Sequence, residues 1–167
     1  MIIIGIDPGI AIVGYGIIEY KNSRFTTLAY GSIQTPAHTD VEVRLEMIYD
    51  KLDELIKIYS PEEMAIEELF FNTNQKTMVP VAEARGVIML CARQNRLKVA
   101  EYTPLQVKQS VVGYGRAVKK QVMNMISMLL RLDVTPKLDD TCDALAIAVC
   151  HANCSGSLIH NYYNQRI

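Results

Sequence analysis

An uninterrupted apolar stretch, Ile2 to Ile6, ends at Asp7-Pro8-Gly9, the pattern of a buried strand stopped by a turn. Residues 12–20 and 25–35 are rich in β-branched and aromatic side chains and joined by short polar links, which predicts an antiparallel meander of three strands. The period then changes. Val41, Leu45, Ile48, Leu52, Leu55, Ile56 and Tyr59 fall at helical spacing with the charges on the other face, and Ser60-Pro61 closes this helix over 41–59. A short strand is predicted at 63–69, an exposed polar loop at 72–76, a helix at about 79–94 and a last strand at 98–102. Thr103-Pro104 opens the next helix, threonine as N-cap and proline at the first helical position, and Gly113-Tyr114-Gly115 interrupts it. Two further helices are predicted at 117–132 and 139–153. The order βββαβαβααα implies an α/β fold, a mixed five-stranded sheet with helices on both faces. No repeat or linker divides it, so residues 1–155 form one expected domain, and residues 156–167 are a polar, weakly patterned tail, a candidate for disorder.

With 167 residues, half of them hydrophobic and 21% charged, the chain has enough apolar surface for one core, which excludes global disorder. Its apolar runs are far short of the ~20 residues that span a bilayer. The N-terminus carries no basic leader or cleavage site, so a cytoplasmic protein without a membrane partner is expected. Cys91, Cys142, Cys150 and Cys154 lie in apolar surroundings without C-x-x-C spacing, as reduced buried thiols do. A net charge of −1 says nothing about partners, but its distribution does. Ten acids against three bases occupy residues 40–68, and ten bases against Glu101 and Asp133 occupy residues 85–137. Such a division suits one face that meets a polyanion, although solvated helix faces give the same pattern.

The candidate chemistry lies in the carboxylates. Asp7 closes an otherwise buried strand, a costly position unless the acid is paired or binds a cation. In EMAIEEL, strand alternation sends Glu67 to the face of Ala65 and Leu69 and Glu68 to the other, so Glu67 can share an ion with Asp7 if the strands are neighbours. In LDDTCDALAIAV, Asp140 and Asp143 share a helix face one turn apart, while Asp139 points elsewhere, as an N-cap would. Two strand acids with a helical D-x-x-D suggest a divalent-metal site of hard oxygen ligands, suited to Mg²⁺ or Mn²⁺. A pair of such ions activates water on one side of a phosphodiester and stabilises the leaving 3′-oxygen on the other.

GIDPG at the end of the first strand, AIEE-L-F on the fourth, EARG, QVKQSVVGYGRAVKKQV and DDTCDALAIA occur in this order. Together they resemble the RuvC family of bacterial Holliday junction resolvases from Ile2 to about Ala152. The resemblance implies an RNase H-like fold, a homodimer, and Mg²⁺-dependent paired nicking of four-way junctions to 5′-phosphate and 3′-hydroxyl ends. It implies Asp7, Glu67, Asp140 and Asp143 as metal-binding catalytic acids, and Lys108 and Lys119 as DNA contacts, with Lys120 adjacent in register. Phe70 matches the aromatic near the junction centre, and RuvA and RuvB follow as branch-migration partners.

The residues themselves are compatible with these roles. Lys108 and Lys119 flank a glycine turn in the basic half, where they can reach phosphates. Of Phe70-Phe71, one ring can stack on an unpaired base while the other plugs the core. Arg85 suits either a phosphate contact or an ion pair near Glu83. Gly14-Tyr15-Gly16 and Gly113-Tyr114-Gly115 are weak signals of phosphate approach, and His38, His151 and His160 show no ligand spacing. The helix at 79–94 is apolar around more of its circumference than one buried face requires, which suits a dimer interface or core packing. An actin-like ATP-handling protein also opens on a strand ending in Asp-x-Gly, but this chain is short for two such domains. A non-catalytic binding module explains the bases but not the acids.

Overall fold

A computed structural model of the chain describes residues 1–69, 75–132 and 139–155, residues 75–77 by backbone alone. The described strands are β1 (Ile2–Asp7), β2 (Ile12–Lys21), β3 (Arg24–Gln34), β4 (Glu63–Glu67) and β5 (Lys98–Tyr102). They form one sheet in the order β3-β2-β1-β4-β5, antiparallel across β3-β2-β1 and parallel across β1-β4-β5. The described helices are α1 (Val41–Tyr59), α2 (Gln75–Gln94), α3 (Pro104–Val112), α4 (Lys119–Leu129) and α5 (Asp139–Ser155). None is long and apolar enough to cross a membrane.

Alternation along the strands divides the core in two. Ile4, Ile6, Ile17, Met64 and Ile66 meet Ile48 and Leu52 of α1 and Ile88 of α2 on one face. Ile3, Ile18, Ala65, Ala100 and Tyr102 meet Val107 of α3, Ile126 of α4 and Leu145 and Ile147 of α5 on the other. The expected sheet with helices on both faces is therefore present.

The local signals explain most boundaries. α1 has the predicted limits, ending where Ser60 turns left-handed at φ 47°. Thr103 caps α3 reciprocally: its hydroxyl accepts the Gln106 N–H at 3.2 Å, and its own N–H donates to the Gln106 side chain at 2.7 Å. Gly113 ends α3 at φ 89°. β2, β3 and α5 shift by one or two residues, and the other differences lie in β4, α4 and α2. β4 stops at Glu67 rather than 69, although the Glu68 N–H still donates to the Tyr102 carbonyl at 2.9 Å. α4 is shorter than 117–132. α2 begins at Gln75, within the loop expected at 72–76 and ahead of the helix expected from about 79, and carries Pro80 inside it at the cost of one backbone hydrogen bond. The tail at 156–167 lies outside the described residues.

Candidate active site

Ile4 and Ile6 point into the α1–α2 core, so Asp7 at the end of β1 turns to the α5 side. On β4, Met64 and Ile66 take the α1–α2 side, which leaves Glu67 beside Asp7 on the α5 side, since Ile6 pairs with Ile66. The alternation argument for Glu67 over Glu68 thus agrees with the sheet.

The other two acids arrive on α5, and the reason they come so close is glycine. A Cβ at Gly14 would stand 2.0 Å from the Asp140 carbonyl oxygen, one at Gly5 2.2 Å from that of Ala144, and one at Gly16 2.6 Å from Leu145 Cδ2. Gly14 is the β2 partner of Asp7, and Gly5 pairs with Gly16, so the three make a floor on which α5 lies directly. Thr141, buried in the first turn, donates its hydroxyl to the Gly31 carbonyl at 3.1 Å and ties α5 to β3. Sequence reasoning missed this floor. Glycines at alternate strand positions on the face of Asp7 were the available signal, but only the strand register shows them adjacent.

The carboxylates sense one another. Burial, and then the charges of Glu67, Asp143 and Asp140, push the Asp7 carboxyl from its usual 3.8 to about 8, with Lys119 opposing. Glu67 is raised by burial and by Asp143, against Lys119 and Lys108. Asp143 is also raised by burial, although a hydrogen bond from Lys119 works against it. Lys119 sits at the start of α4 with its Nζ 2.8 Å from Asp143 and 3.4 Å from Asp139. Burial opposes its charge, but those two carboxylates hold its pKa above the ordinary value. An open cleft of about 190 Å³ joins these groups: Glu67, Asp143, Lys108 and Lys119 line it, with Pro104, Val107, Val122 and Ile147 as apolar walls.

The remaining candidates lie elsewhere. Lys120 is exposed and does not line the cleft. Arg85 projects from α2 on the opposite sheet face and pairs with Glu101 of β5, and its Nη1 lies 3.2 Å from Met89 Sδ. The ion-pair alternative therefore describes it, with Glu101 in place of the Glu83 region. Asp139 is the first residue of α5 and an ion partner of Lys119 rather than a demonstrated cap. Phe70 lies outside the described residues.

Among the described residues, no three His, Cys, Asp or Glu side chains are gathered tightly enough to enclose an ion as they stand. The donor set nevertheless fits a hard divalent cation. Burial, together with the mutual repulsion of four carboxylates on three neighbouring elements, raises the Asp7 carboxyl, and a cation relieves that repulsion.

A mixed sheet of this order, with helices on both faces, has the architecture of RNase H-like proteins. Two solved chains of Thermus thermophilus RuvC carry the same architecture at 32% identity. The one in complex with a Holliday junction substrate superposes with a TM-score of 0.89 over 93% of this chain and 94% of that one. The yeast mitochondrial Holliday junction resolvase shares the fold at a TM-score of 0.66 and 14% identity, covering 99% of this chain and 86% of its own. The model of the crossover junction endodeoxyribonuclease RuvC family matches residues 3–151. A relative of that name from Clostridioides difficile is 59% identical over 153 residues, covering 92% of this chain and 90% of the relative. Another, from Caldanaerobacter subterraneus subsp. tengcongensis, is 53% identical over 158 residues, covering 95% of this chain and 96% of its own. The chain belongs to the crossover junction endodeoxyribonuclease RuvC family, whose members are metal-dependent nucleases.

Proposed function

We propose that this chain resolves Holliday junctions in recombination and repair, acting as a homodimer in the cytoplasm. Each subunit hydrolyses one strand and leaves a 5′-phosphate and a 3′-hydroxyl. The observation that carries the reading is the meeting of Glu67 and Asp143 with Lys108 and Lys119 in one cleft, beside Asp7 and Asp140. A cleft lined by carboxylates and ammonium groups together suits a phosphodiester and the cation that activates it.

Asp7, Glu67, Asp140 and Asp143 hold Mg²⁺ in this reading, two ions per site, with Mn²⁺ as an alternative. When bound, the ions polarise the phosphate and favour an attacking hydroxide. Lys108 and Lys119 grip phosphates and position the scissile one; each released counterion makes affinity salt-dependent. Lys120 supports Lys119 from the same helix. Phe70, three residues after Glu67 in sequence, is the candidate for contact with an unpaired base. Arg85 is reserved for the scaffold by Glu101 unless DNA competes for it.

The two-fold symmetry of a homodimer matches that of an opened junction and presents two sites to opposite strands. Val79 and Leu90 of α2 are 60% and 53% exposed, which supports this helix as the dimer face. RuvA and RuvB are proposed as partners on family resemblance.

The test uses a labelled four-way junction and a linear duplex of the same sequence, each with Mg²⁺ or EDTA. Symmetric nicks that a ligase can seal, on the junction alone and only with Mg²⁺, are the expected result. Equal cutting of the duplex, or cutting in EDTA, contradicts the proposal.

A further inference from the structure

Beyond the acids and lysines, three polar side chains form a chain of hydrogen bonds beneath the cleft. Tyr102 of β5 and His151 of α5 are 5% and 1% exposed, and the phenol oxygen lies 2.8 Å from His151 Nδ1. On the other edge of the ring, His151 Nε2 lies 2.6 Å from Oε2 of Glu63 on β4. Burying such groups in place of apolar ones is costly unless each finds a partner. Here each does. With the Glu63 carboxylate as acceptor, Nε2 carries the ring proton, and Nδ1 is left to accept the phenol O–H. Burial holds the Tyr102 phenol above its ordinary pKa and so keeps that donor proton in place.

The three residues belong to the elements that carry the acids. Glu63 begins the strand that ends in Glu67. Tyr102 is the register partner of Glu67 on β5 and shares the core under α5. His151 lies two turns along α5 from Asp143, with Ile147 of the cleft wall between them. The glycine floor fixes how close α5 comes to β1 and β2, but contact with glycine does not fix how far the helix slides or tilts toward β4. Directional hydrogen bonds do.

We propose that Glu63, His151 and Tyr102 are positioning residues of the nuclease site, a buried bracket that sets the spacing between Glu67 on β4 and Asp143 on α5. The proposal rests on the reading of those acids as the cation site. None of the three lines the cleft. They act by holding the ligands within the few tenths of an ångström that coordination tolerates.

Three variants test it: Tyr102→Phe, which keeps the ring and removes the hydroxyl; Glu63→Met, which removes the carboxylate; and Glu63→Gln, whose amide oxygen still accepts from Nε2. Mn²⁺ binding to the DNA-free protein is measured by titration calorimetry, the Mg²⁺ concentration for half-maximal junction cleavage is measured alongside, and junction affinity is measured in EDTA. Tyr102→Phe and Glu63→Met are expected to weaken Mn²⁺ binding and raise the half-saturating Mg²⁺ about tenfold, while Glu63→Gln stays within about twofold of the parent. Junction affinity in EDTA is expected not to change. Folded Tyr102→Phe with unchanged metal dependence overturns the bracket, whatever its loss of stability, and this conservative variant decides the matter if Glu63→Met fails to fold. Asp7→Asn is the reference. If the parent and Asp7→Asn bind Mn²⁺ alike, the cation-site reading itself fails; if they differ and the bracket variants match the parent, the bracket alone fails.

Discussion

Under α1 and α2 the sheet presents Ile4, Ile6, Ile17, Met64 and Ile66, whereas under α5 it sets Gly5, Gly14, Gly16, Ala65 and Ala100 among Ile3, Ile18 and Tyr102. The helices match their faces. α1 buries Ile48, Leu52 and Ile56, while α5 brings Ala144, Ala146, Ala148 and Ala152 alongside Leu145 and Ile147. One face gains stability from bulk, at roughly 25 cal/mol per Å² of apolar surface removed from water. The other gives up side-chain volume so that a helix backbone can lie against strand backbone. Carboxylates on short side chains meet across a helix–sheet boundary only when that boundary is thin. The site is made by what the strands lack as much as by the acids they carry.

Thickening the glycine floor should have the largest effect. Gly14→Val places branched carbon against the Asp140 carbonyl, where even a Cβ stands at 2.0 Å. We expect a loss of about 3 kcal/mol in denaturant unfolding. Junction cleavage should fall about 100-fold or more as Asp140 moves away from Asp7.

On the bulky face the expected result is the reverse in kind. Leu52→Ala empties a fully buried position of α1 and should cost about 2–4 kcal/mol, again by denaturant unfolding, with cleavage per folded molecule unchanged.

The pH dependence separates the faces further. The folded protein holds the Asp7 proton to about 8, whereas the unfolded chain releases it near the usual 3.8. A carboxyl raised in this way contributes stability that is complete below the unfolded value and is lost as pH rises through the folded one. Without divalent cations, thermal unfolding should therefore show stability falling between about pH 4 and 8, by about 2 kcal/mol from Asp7 after allowance for solvent in the cleft. Mg²⁺ should flatten the slope by favouring the ionised acids, and Asp7→Asn should lack that part of it.

The smallest effect is a second glycine. Gly86 of α2 has open space where a Cβ would go, so Gly86→Ala should stabilise the fold by up to about 1 kcal/mol in the same unfolding assay. A destabilisation there would erase the contrast with Gly14.

The two faces were also unequally legible in the sequence. Period, caps and alternation are local, so they placed α1, the Thr103-Pro104 start, the end of β1 and the orientation of Glu67. Asp140 and Asp143 could be paired by helix spacing alone. What escaped was non-local. Gly14-Tyr15-Gly16 reads as an ordinary recurrence until the register sets Gly14 beside Asp7 and α5 crosses it. His151 has no ligand spacing, and its partners Glu63 and Tyr102 come from two other strands. Arg85 forms its ion pair with Glu101 of β5 rather than with an acid of its own helix. Lys119 and Lys120 are indistinguishable in sequence, and the direction of α4 turns Lys119 to Asp143.

The central claim is that the acids gathered over the glycine floor do chemistry rather than hold the fold. The most direct measurement compares Asp7→Asn with the parent on one four-way junction, recording binding in EDTA and cleavage in Mg²⁺ side by side. Junction binding should equal or exceed the parent's, and cleavage should fall on the order of 10³-fold, as befits the loss of several kcal/mol of transition-state charge stabilisation. Cleavage at the parental rate would contradict it.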